Sequence, residues 1–201
     1  MLMKITKQML SIEKSQTEDQ LIDGCRRQKA KSQKALYEKM SGKMLGVCIR
    51  YLHDREESEH VMIGAMVKVF KKIDQYSGNG SFEGWVRRIV VNECLMYIRK
   101  NRAMSLAVDI EELHQQPDVE KLQYQLETED LMRLIGELPV GYRTVFNLYA
   151  IEGYNHAEIA KQLGINENTS KSQLSRARKL LQNRLAEIEH KELKNEHHGT
   201  S

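Results

Sequence analysis

Apolar residues return every three or four positions along most of this chain, a spacing that suits helices and leaves little room for strands. Leu21, Ile22 and Cys25 begin the pattern, and Ala35, Leu36, Met40, Met44, Leu45, Val47, Cys48 and Leu52 carry it on. Val61, Met62, Ala65, Met66, Val69 and Phe70 predict a further helix from about Glu56 to Ile73. After the loop "DQYSGNGSF", Trp85, Ile89, Val90, Cys94, Leu95 and Ile98 predict another, with Ser81 as its cap. Thr17 with Gln20 three residues on has the spacing of a capping box. The chain has only two prolines in 201 residues. Leu131, Leu134, Ile135 and Leu138, then Val145, Phe146, Leu148, Tyr149 and Ile151, open a second helical group. The expected fold is all-α: two small helical domains, residues 17–102 and 128–188, with a linker over 103–127 and a polar tail over 189–201.

Charge divides the chain in the same way. Net charge is +3, but Arg26–Lys43 holds seven Lys/Arg against one Glu, Ser81–Arg102 five against two acidic residues, and Asn166–Arg184 five against one. Between the last two, Ala107–Asp130 holds eight Asp/Glu and a single Lys. Basic domains on either side of an acidic, flexible linker fit two nucleic-acid-facing units joined by a segment that DNA repels. No run approaches the roughly 18 apolar residues of a membrane span. The N-terminus "MLMKITKQML" lacks a secretory signal's apolar core and cleavage site. Three widely spaced cysteines, Cys25, Cys48 and Cys94, suggest neither a disulfide framework nor a metal site. A cytoplasmic protein with reduced thiols is expected.

The stretch "AEIAKQLGINENTSKSQLSRARKLL" reads as two short helices broken at Gly164, which supplies the positive φ of a tight turn. Asn166 is a plausible N-cap for the second helix. Leu174, Ala177 and Leu181 face inward, with Ser170 one turn earlier. Thr169, Ser172, Gln173 and Arg176 are assigned to the opposite side, flanked by Lys171, Arg178 and Lys179. Polar forks near a helix N-terminus suit base edges in a major groove, and flanking cations suit phosphates.

"LPVGYRTVFNLYAIEGYNHAEIAKQLGINENTSKSQLSRARKLLQ" resembles region 4 of the sigma factors of bacterial RNA polymerase, in the extracytoplasmic-function (ECF) group. "ALYEKMSGKMLGVCIRYL" and "GSFEGWVRRIVVNECLMYIRK" resemble region 2, the other domain of that sigma-70 family. The matching segments run from about Thr17 to Ala186. The resemblance implies a chain that binds core RNA polymerase and recognises promoter DNA at the −35 and −10 elements. It also implies help in melting, and commonly an anti-sigma partner.

Residue by residue, it implies −35 contacts by Thr169, Lys171, Ser172, Gln173 and Arg176, with Tyr154, Arg178 and Lys179 on phosphates. For the −10 element and its single strand, the loop residues Asn79, Gly80 and Ser81 could wrap an unstacked base. Arg87, Arg88, Arg99 and Lys100 are the candidate cations for that strand. Phe82 and Trp85 could stack on bases or pack inward, and Asn92 could touch DNA or cap a loop. On the helix expected to grip polymerase, Glu56, Glu59, His60, Ile63 and Met66 are the candidates. Here the sequence departs from the family: His60, Ile63, Gly64 and Met66 stand in "HVMIGAMVKVF" where a "DxxQExF" pattern is usual. A stand-alone helix-turn-helix regulator is the alternative that this departure keeps open. No HExxH, Walker or GxSxG motif occurs, so no enzyme, metal or cofactor is expected.

Overall fold

The structure, a computed structural model, describes residues 17–102 and 128–198, so the expected linker and the last three residues of the tail lie outside the described residues. The described residues form helices and no strand. The N-terminal bundle comprises α1 (Glu18–Arg26), α2 (Ala30–Leu52), α3 (Arg55–Lys72) and α4 (Phe82–Arg102), with a 3₁₀ turn at Ile73–Gln75. The C-terminal bundle comprises α5 (Thr128–Glu137), α6 (Val140–Phe146), α7 (His156–Leu163) and α8 (Glu167–His198). A π-helical turn, Asn147–Ile151, extends α6.

Thr17 caps α1 in the reciprocal capping box expected from its spacing with Gln20. Asp54 caps α3 through the Glu57 amide at 2.8 Å. In α2 the buried positions Leu36, Met40, Met44, Cys48 and Tyr51 make one stripe, which meets Val61, Ala65 and Val69 of α3 and Val86, Val90, Cys94 and Ile98 of α4. Each such large apolar side chain contributes about 1.5–3 kcal/mol when buried. Cys48 and Cys94 are buried free thiols whose sulfurs lie 3.6 Å apart. α8 runs past residue 188, where the polar tail was expected to begin, as far as His198. No glycine or proline interrupts it before Gly199.

Gly64 sits exposed in α3, and a Cβ built there meets nothing within 4 Å. Gly64→Ala is therefore expected to stabilise the protein by up to about 1 kcal/mol, read by urea unfolding. An unchanged or lower midpoint would show that this helix needs its glycine.

The two bundles also pack on each other. One apolar cluster continues from the α2–α4 core into Val145, Leu148, Ile159, Leu163 and Leu174. α2 ends at His53, whose left-handed φ of 54° stops the helix. The orphan carbonyls of its last turn are met by side chains of the other bundle. Asn147 Nδ2 donates to Arg50 O at 3.0 Å, Arg143 Nε to Tyr51 O at 3.1 Å, and Arg143 Nη2 to Leu52 O at 3.5 Å. Through Nη1 the same guanidinium donates to Gly136 O and Leu138 O, at the end of α5. One buried arginine thus caps a helix from each bundle, placing a cation where both helix dipoles are negative. Gly136 lies so close that a Cβ there would come within 2.3 Å of the His53 ring.

Candidate nucleic-acid interface

The α7–α8 hairpin is built from local chemistry. Asn155 caps α7 in a reciprocal box with Glu158, its Oδ1 accepting from the Glu158 amide at 2.9 Å. Gly164 closes α7 with φ 69°, its amide donating to Ala160 O. Asn166 then caps α8, its Oδ1 accepting from the Thr169 amide at 2.6 Å. Ile165 packs at the junction, and Ser170, Leu174, Ala177, Leu181 and Leu185 are buried along the inner seam.

The outer side of α8 presents Lys171, Ser172 and Lys179 exposed, with Thr169, Arg176 and Arg178 half-buried. Lys171 pairs with Glu167 at 2.8 Å in water, a contact that a phosphate can replace at little cost. Arg178 lies 5.6 Å over the Tyr149 ring, which stacks on His156 at 4.7 Å. Arg176 Nη1 reaches the Tyr142 hydroxyl at 3.4 Å. Gln173 does not share this face. It is 8% exposed and packs against Gly141. The reason is its period: position 173 falls three residues after Ser170 and four before Ala177, on the inner seam itself.

His156 Nδ1 lies 2.9 Å from Ser170 Oγ. Burial, then the charge of Lys171 and, more weakly, that of Arg178 lower its pKa below the ordinary value of 6.5, while Glu167 pulls the other way. The unfolded chain therefore binds this proton more tightly than the folded one. The stabilisation is full above pH 6.5 and declines as pH falls through the lowered folded value. Measured against wild type, His156→Gln is expected to flatten the acid side of the stability–pH curve near that window. Parallel curves would assign the slope to other groups.

A second basic face lies on α4. Gly78 and Gly80, with φ 81° and 85°, shape the loop before it. Asn79, Gly80 and Ser81 are exposed, and Ser81 Oγ accepts from the Gly84 amide at 3.3 Å. Phe82, a candidate for base stacking, is instead core, 1% exposed. Its ring meets Tyr76 edge-on at 5.0 Å and stacks on the half-buried Trp85 at 5.7 Å. Phe82 begins the inward stripe that Val86, Val90 and Cys94 continue at four-residue spacing, and this directs it inside. Arg88, Asn92, Arg99 and Lys100 line the exposed side, and Met96, which the sequence did not suggest, stands among them at 56% exposure. Arg87 is placed differently. Its Nε and Nη2 donate to the Glu152 carboxylate of the other bundle at 2.7 and 2.9 Å. Tyr154 is half-buried in the same crevice, with Gly84, Arg88 and Val91.

On α3, Glu56, His60 and Ile63 are exposed, and Glu59 is half-buried and paired with Arg55 at 2.9 Å. Met66 is buried, because it lies one turn after Met62 on the side facing the core. Val67 takes the exposed place instead, so that His60, Ile63 and Val67 share one outward face.

Two family models match, described as "Sigma-70 region 2" over residues 36–104 and "Sigma-70, region 4" over residues 128–181, together more than half of the chain. The chain belongs to the sigma-70 family. The RNA polymerase sigma-H factor of Pseudomonas aeruginosa is 25% identical over 185 residues, 86% of this chain and 94% of that protein. The ECF RNA polymerase sigma-E factor of Haemophilus influenzae is 24% identical over 181 residues, 84% and 95% of the two chains. The ECF RNA polymerase sigma factor SigM of Mycobacterium tuberculosis is 30% identical over 124 residues, 61% of each chain. The sigma factor RpoE of Bartonella quintana, solved with the anti-sigma factor NepR, aligns with a TM-score of 0.47 at 20% identity, over 76% of this chain and 96% of that one. This sigma factor is of the ECF type, and its function is promoter recognition in transcription initiation. Region 2 takes in the basic side of α4, and region 4 the α7–α8 helix-turn-helix.

Proposed function

We propose that the outer side of α8 reads the −35 element, that the loop before α4 and its exposed basic side take the −10 strand, and that α3 docks on core polymerase. The order of the two matches carries this reading, because each falls on a domain with its own solvent-facing cations. In this scheme Thr169, Ser172 and Arg176 face base edges, and Lys171, Arg178 and Lys179 face phosphates. Asn79, Gly80, Ser81, Arg88, Asn92, Arg99 and Lys100 serve the melted strand, joined by Arg87 once it is free of Glu152. The clamp contact rests on His60, Ile63 and Val67, a set with two exposed aliphatic side chains and no carboxylate, which asks for an apolar partner surface. The partners are core RNA polymerase, promoter DNA and an anti-sigma factor, in the cytoplasm; the chain supplies no catalysis.

Hydroxyl-radical footprinting of promoter DNA tests the division of labour. Holoenzyme built with this chain should protect two windows, with Arg176→Ala thinning the upstream one and Arg99→Ala the downstream one. The same two windows from the chain without polymerase would instead favour a self-sufficient regulator.

A further inference from the structure

The basic run Arg26–Lys43 has no part in the −35, −10 or clamp assignments, yet the fold sets it against the loop that precedes α4. Its seven Lys/Arg side chains are all exposed. α1 closes at Gln28, whose φ is 54°, with the Gln28 and Lys29 amides donating back to Cys25 O and Gly24 O, both at 2.9 Å. A Cβ on Gly24 would run into Ser32 Oγ, so this glycine lets the start of α2 close on the end of α1. The tight turn gathers Arg26, Arg27, Lys29 and Lys31 at one corner of the bundle. Arg26 pairs with Asp23 at 3.3 Å, Lys34 with Glu38 at 3.8 Å and Lys39 with Glu18 at 3.1 Å, all in water, where a phosphate can replace the carboxylate at little cost. Among the described residues, Arg27 and Lys29 have no acidic partner.

Two contacts fasten this corner to the candidate site for the −10 strand. Arg26 Nη2 donates to Tyr76 O at 2.7 Å, and the Tyr76 hydroxyl donates to Gly80 O at 2.7 Å. Lys43 Nζ meets Glu83, in the first turn of α4, at 2.6 Å. Lys29 is three Cα steps from Arg26 and so lies no more than about 11 Å along the chain from it. A strand that leaves the loop on this side therefore meets Arg27 and Lys29 within a few nucleotides. Arg26–Lys34 holds no aromatic residue, so the corner offers charge without a surface on which bases can stack. Such a surface takes phosphates and leaves bases unread. An acidic protein surface would answer the same charges; the tie to the loop through Tyr76 favours the strand.

We propose that Arg27 and Lys29, with Lys31 and Lys34 beside them, form a second phosphate track for melted DNA, holding the nucleotides next to the one wrapped by Asn79, Gly80 and Ser81. The track rests on the sigma-factor reading of that loop. It adds affinity and salt dependence, and no sequence choice.

Fluorescence anisotropy of the full chain tests this, with labelled thymidine oligonucleotides of about 5 and about 15 residues over a range of salt. Arg27→Gln with Lys29→Gln should reduce the slope of log affinity against log salt by about 1.4 on the longer probe, at about 0.7 per phosphate contact. The gain in affinity from the short probe to the long one should shrink in the same variant. Arg27→Lys with Lys29→Arg keeps both charges and should keep the wild-type slope, which separates charge from any structural part of these side chains. An unchanged slope in the Gln variant, or no binding of the long probe by wild type, overturns the proposal. If the slope is unchanged and the Gln variant also loses core polymerase in a pull-down, the corner is a protein contact instead. Should wild type itself fail to bind core polymerase and direct transcription, the sigma-factor reading falls, while the slopes still decide whether the corner holds a strand.

Discussion

Arg143→Met is expected to lower the unfolding free energy by about 3 kcal/mol, the largest loss from any single polar side chain considered for this protein. The residue is 4% exposed, and its guanidinium serves Tyr51 O, Leu52 O, Gly136 O and Leu138 O. Methionine fills much of the volume but donates nothing, so several helix-end carbonyls lose their partner together. The value stays below a simple sum over four carbonyls, because water reaches some of them once the seam loosens. Arg143→Lys should recover only part of the loss, since an ammonium cannot fork to two helix ends at once. Urea unfolding with region-specific probes checks this. Equal stability in all three proteins would mean that the carbonyls are capped by something else.

Arg176→Ala should reduce discrimination for the preferred upstream element by about 10- to 100-fold, the range of one good base contact. Its guanidinium is half-buried and leans on the Tyr142 hydroxyl, which limits its freedom before DNA arrives. Lys179, exposed three residues on, should behave otherwise. Lys179→Ala weakens binding evenly across sequences and lowers the slope of affinity against salt by about one. The comparison needs holoenzyme on matched and scrambled upstream elements at two salt concentrations. If both variants lose the same factor on both DNAs, Arg176 is a phosphate contact as well.

The helices and their ends were legible from the sequence because their causes are local. Thr17 with Gln20, Gly164 and Asn166 each act within one turn, and all are found in their expected roles. Gln173 has an outward role by chemical type and Met66 by its place in the family pattern, yet period sends both inward; Phe82, open to base stacking or to the core, packs in the core. Gln173, Phe82 and Met66 each sit three or four residues from buried neighbours, and this outweighs polarity or aromatic character. The seam between the bundles was not legible at all. Arg143, Asn147 and Glu152 find partners 65 to 102 residues away, and nothing in their own segment announces them. "LPVGYR" stands in the sequence only as part of the stretch resembling region 4, whereas its arginine also ties that domain to the one before.

The most direct test of the central claim combines purified chain with core polymerase and runs promoter-dependent transcription on genomic fragments. The account predicts a stable complex with core and runoff transcripts from a discrete set of start sites, absent when the chain is omitted. A chain that leaves core unbound and start sites unchanged, while footprinting duplex DNA by itself, would contradict it.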